Sequence, residues 1–296
     1  MSAIDVDAGI LRNTAAASAH AYEQTIKHVE AEITAANGAL EPLIDTLTAQ
    51  GPYAYTILPE VHPDGSVKLP ILTTREEIAD AYAMIRGASN LIEVVGVTEV
   101  RGAWYTFQDA LSRGSLKGTD KVDVYETLGL FPSGRGPGIT GELIWIRVPP
   151  SALGTPGAQS TAMDDPLLAR EKVFRQHERY LTALREGDVD GVLDTLNDGV
   201  ASAVRDYVDD TGTLTTLEGK EPHRAYYQAL FDRYEIRSVV PLHRVTEDWY
   251  VFAELRLTAT RKGRVGQAAV FHTAEFFVPA NDGRFIARIG HGTNPT

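Results

Sequence analysis

Four side chains in the second half of this 296-residue sequence are of kinds that move protons. Tyr180 lies in the run Tyr180-Leu-Thr-Ala-Leu-Arg-Glu-Gly-Asp188. A phenol stays neutral at pH 7 and can donate to an oxygen that is gaining negative charge. His177 stands one helical turn earlier, on the same apolar face. Asp206 falls on a strand-like segment, Val200–Val208, where apolar walls would raise a carboxyl's pKa and suit it to act as a base. His272 sits within Ala268-Ala-Val-Phe-His-Thr-Ala-Glu-Phe-Phe277, among neighbours too apolar for a solvated imidazole. With an ordinary pKa of about 6.5, it is the most versatile acid–base group at neutral pH. Each also has a plainer reading. Tyr180 and His177 can be core residues of a helix, and Asp206 with Asp209 and Asp210 can form a polar strand end.

Composition narrows the chemistry further. The chain has no cysteine, which removes thiolate zinc sites, iron–sulfur clusters, disulfides and cysteine nucleophiles. The eight histidines are scattered and no His-Glu-x-x-His occurs, so no metal is expected. Gly136-Pro-Gly-Ile-Thr-Gly141 has the letters of a dinucleotide fingerprint. It lies in a Pro/Gly loop before a strand-like run, however, and that is the wrong context for holding a pyrophosphate. No cofactor is therefore expected. A net charge of −12 argues against nucleic acid and anionic membranes as partners. The acidic start lacks an apolar leader, and no run reaches the roughly 18 apolar residues of a membrane span. A cytoplasmic location follows as the expectation.

The elements that must position these groups read in a regular order. Residues 167–186 carry Val173, Phe174, His177, Leu181 and Leu184 at helical spacing and end near Gly187. Asp188 begins a short helix to about Leu196, and Val200–Val208 is a strand. Glu221–Tyr234, which includes Tyr227, is a third helix. The β-rich runs Ile236–Val245, Trp249–Thr260, Gln267–Val278 and Phe285–His291 follow, with Asn281-Asp-Gly283 as a hairpin turn.

The same order recurs upstream. Trp104-Tyr-Thr-Phe107 returns as Trp249-Tyr-Val-Phe252, 145 residues on, and Tyr82 pairs with Tyr227 at the same offset. Leu43-Ile-Asp-Thr-Leu47 returns as Val192-Leu-Asp-Thr-Leu196. The first copy has its third helix at Arg75–Gly87. A tandem duplication is expected, with domains at 15–148 and 165–296 and a Pro/Gly/Ser-rich linker at 149–164.

Helices followed by an antiparallel meander predict an α+β fold rather than a doubly wound one. Tyr180–Asp188, the short helix and the meander ending Asp282-Gly-Arg-Phe-Ile286 resemble the nuclear transport factor 2-like superfamily. That superfamily includes ketosteroid isomerases and SnoaL-like polyketide cyclases. The resemblance implies two cone-shaped domains of the cystatin-like α+β roll type, each with helices packed on a curved antiparallel sheet. In the isomerases a tyrosine seven residues before the Gly of a Gly-Asp pair donates to the substrate oxygen, and Tyr180 has that spacing from Gly187. The isomerase base would fall on Val204, so Asp206, two residues on, takes that part on the same strand face.

The hairpin register decides the acid–base partner. A long turn makes Val270, His272, Ala274 and Phe276 face the pocket, whereas the other register brings in Glu275. The first is preferred here. By its phase Trp249 becomes an aromatic wall. Catalytic Tyr180, Asp206 and His272, with His177, Trp249, Phe276, Tyr227 and Glu275 about the ligand, make the expected site. The ligand is a small to medium hydrophobic organic molecule, and the reaction that of a lyase or isomerase. The alternative is a non-catalytic binding or assembly protein of the same fold. The first copy, without an equivalent of Tyr180, is expected to serve assembly or lidding. The outer sheet faces are expected to pair the halves as an internal pseudo-dimer, with a further homodimer open.

Overall fold

The computed structural model describes residues 3–35, 39–49, 53–55, 60–61, 67–147, 165–205, 212–263 and 268–293. In chain order the elements are α1 (Ala3–Thr34), α2 (Glu41–Ile44), β1 (Tyr53–Tyr55), β2 (Glu60–Val61), β3 (Val67–Lys68), β4 (Ile71–Leu72), α3 (Arg75–Ala88), β5 (Ser89–Arg101), β6 (Tyr105–Leu116), β7 (Val122–Pro132) and β8 (Gly141–Arg147). There follow α4 (Pro166–Glu186), α5 (Val189–Asp194), β9 (Leu196–Arg205), β10 (Leu214–Glu218), α6 (Lys220–Arg233), β11 (Tyr234–Thr246), β12 (Val251–Arg261), β13 (Ala268–Pro279) and β14 (Phe285–Gly292). Among the described residues no helix is long and apolar enough to cross a membrane.

Two compact units result. The first contains Met1–Leu58 and Pro70–Val148, the second Pro59–Leu69 and Pro149–Thr296. The hairpin of β2 and β3 thus belongs with the second unit, because β3 packs beside β9. Composition gives no sign of that excursion.

Each unit is α+β, with helices packed on a curved six-stranded sheet. The strand orders are β4-β1-β8-β7-β6-β5 and β10-β9-β14-β13-β12-β11. In both, one pair is parallel, β1 with β8 and β9 with β14, and the other pairs are antiparallel. The turns before β6 and β12 also match. The Gly102 N–H donates to the Tyr105 carbonyl at 2.9 Å, as the Glu247 N–H does to Tyr250 at 2.9 Å. Trp104 and Trp249 then meet the next tyrosine edge-on, with centroids 4.9 and 5.1 Å apart.

Local signals explain how α4 comes to face its sheet. Asp165 accepts from the amides of Leu167 and Leu168, and Pro166 follows at the first helical position. Gly187 ends the helix in the left-handed region, at φ 68°, where a side chain is disfavoured. Asp188 at once caps α5 by accepting from the Gly191 amide. With its two ends fixed, α4 turns Val173, Tyr180, Leu181 and Leu184 into a core that also takes Val251, Ala253, Leu255 and Leu257 of β12 and Phe271 and Phe277 of β13. Odd-numbered residues of β12 and β13 therefore face the helices. Tyr250, Phe252, Ala274 and Phe276 belong to the opposite face and are buried there as well.

Candidate active site

The second unit encloses a cavity of about 50 Å³ between α4, α6 and the concave side of its sheet. Its walls are mostly apolar: Leu184, Val204, Leu230, Ile236, Leu257 and Phe271. Against them stand Tyr180, Tyr227, Glu275, Arg288 and Thr273. The polar groups form one chain. Arg288 Nε donates to Glu275 Oε2 at 2.7 Å, and Arg288 Nη1 donates to the Tyr227 hydroxyl at 3.2 Å. The Tyr227 and Tyr180 hydroxyls are 3.1 Å apart. Thr273 Oγ1, buried in the same wall, has no protein partner.

Strand pairing puts these groups together. Phe277 of β13 lies opposite Arg288 of β14, and Glu275 lies opposite Gly290. A Cβ at position 290 would come within 2.7 Å of the Glu275 Cβ, so the glycine leaves room for the carboxylate. Burial alone would favour neutral Arg288, but the Glu275 carboxylate and the nearby tyrosine hydroxyls of Tyr180, Tyr227 and Tyr226 together outweigh it and hold the guanidinium pKa above its ordinary value. Burial also pushes the Tyr180 phenol well above the ordinary tyrosine range and raises Tyr227. Both hydroxyls are therefore neutral donors at physiological pH. Tyr227 accepts from Arg288, so its own proton can pass to Tyr180, whose proton is then free for a ligand oxygen.

Three expected residues, Tyr180, Tyr227 and Glu275, line this cavity. His272 does not, and neither does Phe276. In β13–β14, Val278 pairs with Ala287 but Pro279 pairs with Phe285, so Ile286 is an extra residue in a bulge. That bulge offsets the turn length, sends Thr273 and Glu275 inward, and places His272 and Phe276 on the opposite face. Trp249 is buried in the turn before β12 and is not a wall of the cavity. His177 is fully buried, 5.4 Å from the Phe277 ring centroid and 6.1 Å from that of Tyr180, and its ring nitrogens have no partner. Burial and then the Arg244 charge lower its pKa to about 3. Asp206 lies outside the described residues. Arg288 went unnoticed in the sequence, although a lone charge within Phe285-Ile-Ala-Arg-Ile-Gly290 was its signal.

The first unit holds a polar cluster that was also missed. The register locates it. Phe107 pairs with Leu130, and Leu130 with Leu143. Phe252, the repeat counterpart of Phe107, pairs with Phe276, and Phe276 with Ile289. Glu142 therefore stands where the second unit has Arg288, and Gly129 where it has Glu275. The Tyr82 hydroxyl donates to Glu142 Oε2 at 2.6 Å and is 3.4 Å from His28 Nε2. Arg86 donates to Glu32 at 3.0 Å. The available signals were His28 and Glu32 four apart on α1, and a lone acid in apolar β8.

Residues 177–288 match the family model of the SnoaL-like domain. The second unit is a SnoaL-like domain of the nuclear transport factor 2-like superfamily. Solved structures similar to the chain include SalBIII, an epoxide hydrolase/cyclase-like enzyme of pyran ring formation in the polyether salinomycin. It is 16% identical over 42% of this chain and 95% of its own, with a TM-score of 0.36. An LEH-like epoxide hydrolase of Mycobacterium tuberculosis is 17% identical over 42% of this chain and 84% of its own, with a TM-score of 0.34. An NTF2-like protein of Burkholderia pseudomallei is 18% identical over 42% and 92%, with a TM-score of 0.36. No curated protein matches the chain.

Proposed function

We propose that the second unit is a cofactor-free acid–base catalyst acting on a small, mainly apolar organic molecule that carries a carbonyl or hydroxyl oxygen. The observation that carries this reading is the unbroken chain Glu275–Arg288–Tyr227–Tyr180 in an otherwise apolar cavity. In such a site Tyr180 donates to the ligand oxygen as it gains charge, and Tyr227 and Arg288 supply polarisation from behind. Glu275 Oε2 is held by Arg288, which leaves Oε1 to take a proton from carbon. Apolar walls keep water away and strengthen each of these interactions.

The test is hydrogen exchange at the carbon beside the carbonyl of cyclohexanone in D2O, followed by proton NMR. Tyr180→Phe is expected to slow the exchange by roughly 10²-fold. An exchange rate unchanged by Tyr180→Phe and by Glu275→Gln would sink the reading. The small cavity, about 50 Å³, favours a second reading in which a ligand is held without turnover. In that case cyclohexanone would bind, as seen by line broadening lost in Tyr180→Phe, without exchanging its hydrogens. Identical strand order and matching turns support descent of both units from one duplicated ancestor.

A further inference from the structure

We propose that Thr273 is a specificity-determining residue of the second unit, whose hydroxyl binds a second, uncharged oxygen of the ligand. The ligand class is thereby narrowed to molecules with two oxygens separated by an apolar spacer. This inference rests on the reading of the cavity as a ligand site given above.

An unpaired oxygen carries the argument. Among the described residues, the buried side-chain polar atoms without a partner belong to Arg86, Thr106, Ser133, Trp145, His177 and Thr273, and of these residues only Thr273 lines the cavity. A hydroxyl left unpaired inside a fold is costly, whereas valine has the same shape and would leave nothing unpaired. The Thr273 hydroxyl is satisfied once an occupant of the cavity supplies the partner. Thr293, the other hydroxyl at that end, already accepts from the His272 amide at 3.3 Å. Half-buried Tyr226, Ile236 and Thr293 mark where the cavity opens to solvent.

Strand geometry sets the spacing of the two oxygens. Thr273 and Glu275 are alternate residues of β13, so they share a face and lie about 6.7 Å apart along the strand. On β14, Gly292 lies opposite Thr273 and Gly290 opposite Glu275. Neither glycine has a side chain, so the strip of β13 between the two polar residues is uncovered on that side. The chain of Tyr180, Tyr227, Arg288 and Glu275 holds one end of the strip, and Thr273 holds the other.

The surroundings decide the charge of the second oxygen. Beyond Thr273 the wall continues as Phe271, with Leu257 opposite it on β12. The two charges of the cavity, Arg288 and Glu275, are already paired with each other. A carboxylate or ammonium group beside Thr273 would be a buried charge without a counter-charge. An ether, carbonyl or hydroxyl oxygen needs only one hydrogen bond, which a threonine can give or receive.

The experiment measures binding of cyclohexanone and of tetrahydropyran-4-one to the full chain by ligand-observed NMR titration. The two ketones are alike in size and shape, and the second has an ether oxygen in place of the methylene opposite the carbonyl. Thr273→Val is expected to shift the ratio of their dissociation constants by roughly tenfold against tetrahydropyran-4-one, the effect of one lost hydrogen bond. Comparing the ratio between proteins cancels the different hydration of the two ketones. Thr273→Ser is expected to keep the parent's ratio. If Thr273→Val does not fold, proton–proton NOEs in the unsubstituted chain decide the matter. The Thr273 methyl group is expected to lie beside the ring hydrogens that flank the ether oxygen, and contact with those that flank the carbonyl instead would overturn the proposal. Both ketones bound with a ratio unchanged in Thr273→Val would overturn this inference alone. Binding of neither ketone by the parent would overturn the reading of the cavity, and this inference with it.

Discussion

Tyr82 and Tyr227 hold the same place in the helices that cover their two sheets, yet their hydroxyls play opposite parts. Tyr82 donates to the Glu142 carboxylate at 2.6 Å, and Tyr227 accepts from the Arg288 guanidinium at 3.2 Å. Removing either hydroxyl leaves a buried charged group short of a partner. Tyr82→Phe and Tyr227→Phe are each expected to cost about 1–3 kcal/mol of stability. Each loss should fall on its own unit, as read by hydrogen exchange mapped to α3 or to α6. Uniform loss of protection in both units after either change would contradict this.

Glu275 and Arg288 present a harder electrostatic case. Their side chains are 1% and 7% exposed, and each is the other's main counter-charge. Breaking such a pair from one side costs about 3–5 kcal/mol, because the surviving charge is stranded. Arg288→Met is expected to lose that much in urea unfolding. The double change Glu275→Leu with Arg288→Met is expected to regain most of it, while abolishing turnover. A double variant as unstable as the sum of the single ones would show that the pair is not coupled.

The junction between α4 and α5 offers a purely structural test. Asp188→Ala removes the acceptor for the Gly191 amide, 2.9 Å from Oδ1, and should cost about 1 kcal/mol. Gly187→Ala forces a Cβ into a left-handed backbone and should cost a similar amount. Thermal unfolding of the second unit checks both. A Gly187→Ala variant as stable as the parent would mean that the chain ends α4 in another conformation.

That junction was fully legible in the sequence, because caps, glycine and apolar spacing are local and all agree there. The order of helices and strands was legible for the same reason. So were Tyr180 and the helix face that carries it, since Gly187 and Asp188 anchor the phase of α4. The face of β13 was not. One bulged residue, Ile286, decides whether His272 or Glu275 turns inward, and no residue type announces a bulge of that kind. The polar cluster of the first unit was illegible for a different reason. That unit lacks the tyrosine of α4 and carries a buried cluster of His28, Tyr82 and Glu142, residues that meet only when α1, α3 and β8 are brought together in space.

His177 gives a pH dependence whose sign can be worked out. Its pKa is about 3 in the folded chain, against about 6.5 unfolded. His223 behaves alike. Burial, chiefly, lowers it to about 4, while its Nδ1 proton goes to the Gly219 carbonyl and Ser202 hydrogen-bonds to Nε2. Between these values and pH 6.5 the unfolded chain binds protons that the folded one refuses. Stability is therefore intact above about pH 6.5 and falls as the pH drops, by about 1.4 kcal/mol per unit for each histidine. His177 has no partner for either nitrogen, and it packs against Tyr180 and Phe277. Replacing it with leucine removes a group that must stay neutral and loses no hydrogen bond. Relative to the parent, His177→Leu is expected to gain stability on going from pH 7.5 to pH 5, by about 2 kcal/mol, with Trp249 fluorescence following the second unit through urea unfolding. A difference between the two proteins that does not change with pH would mean that His177 can be protonated in place, and that the fold opens there more easily than its burial implies.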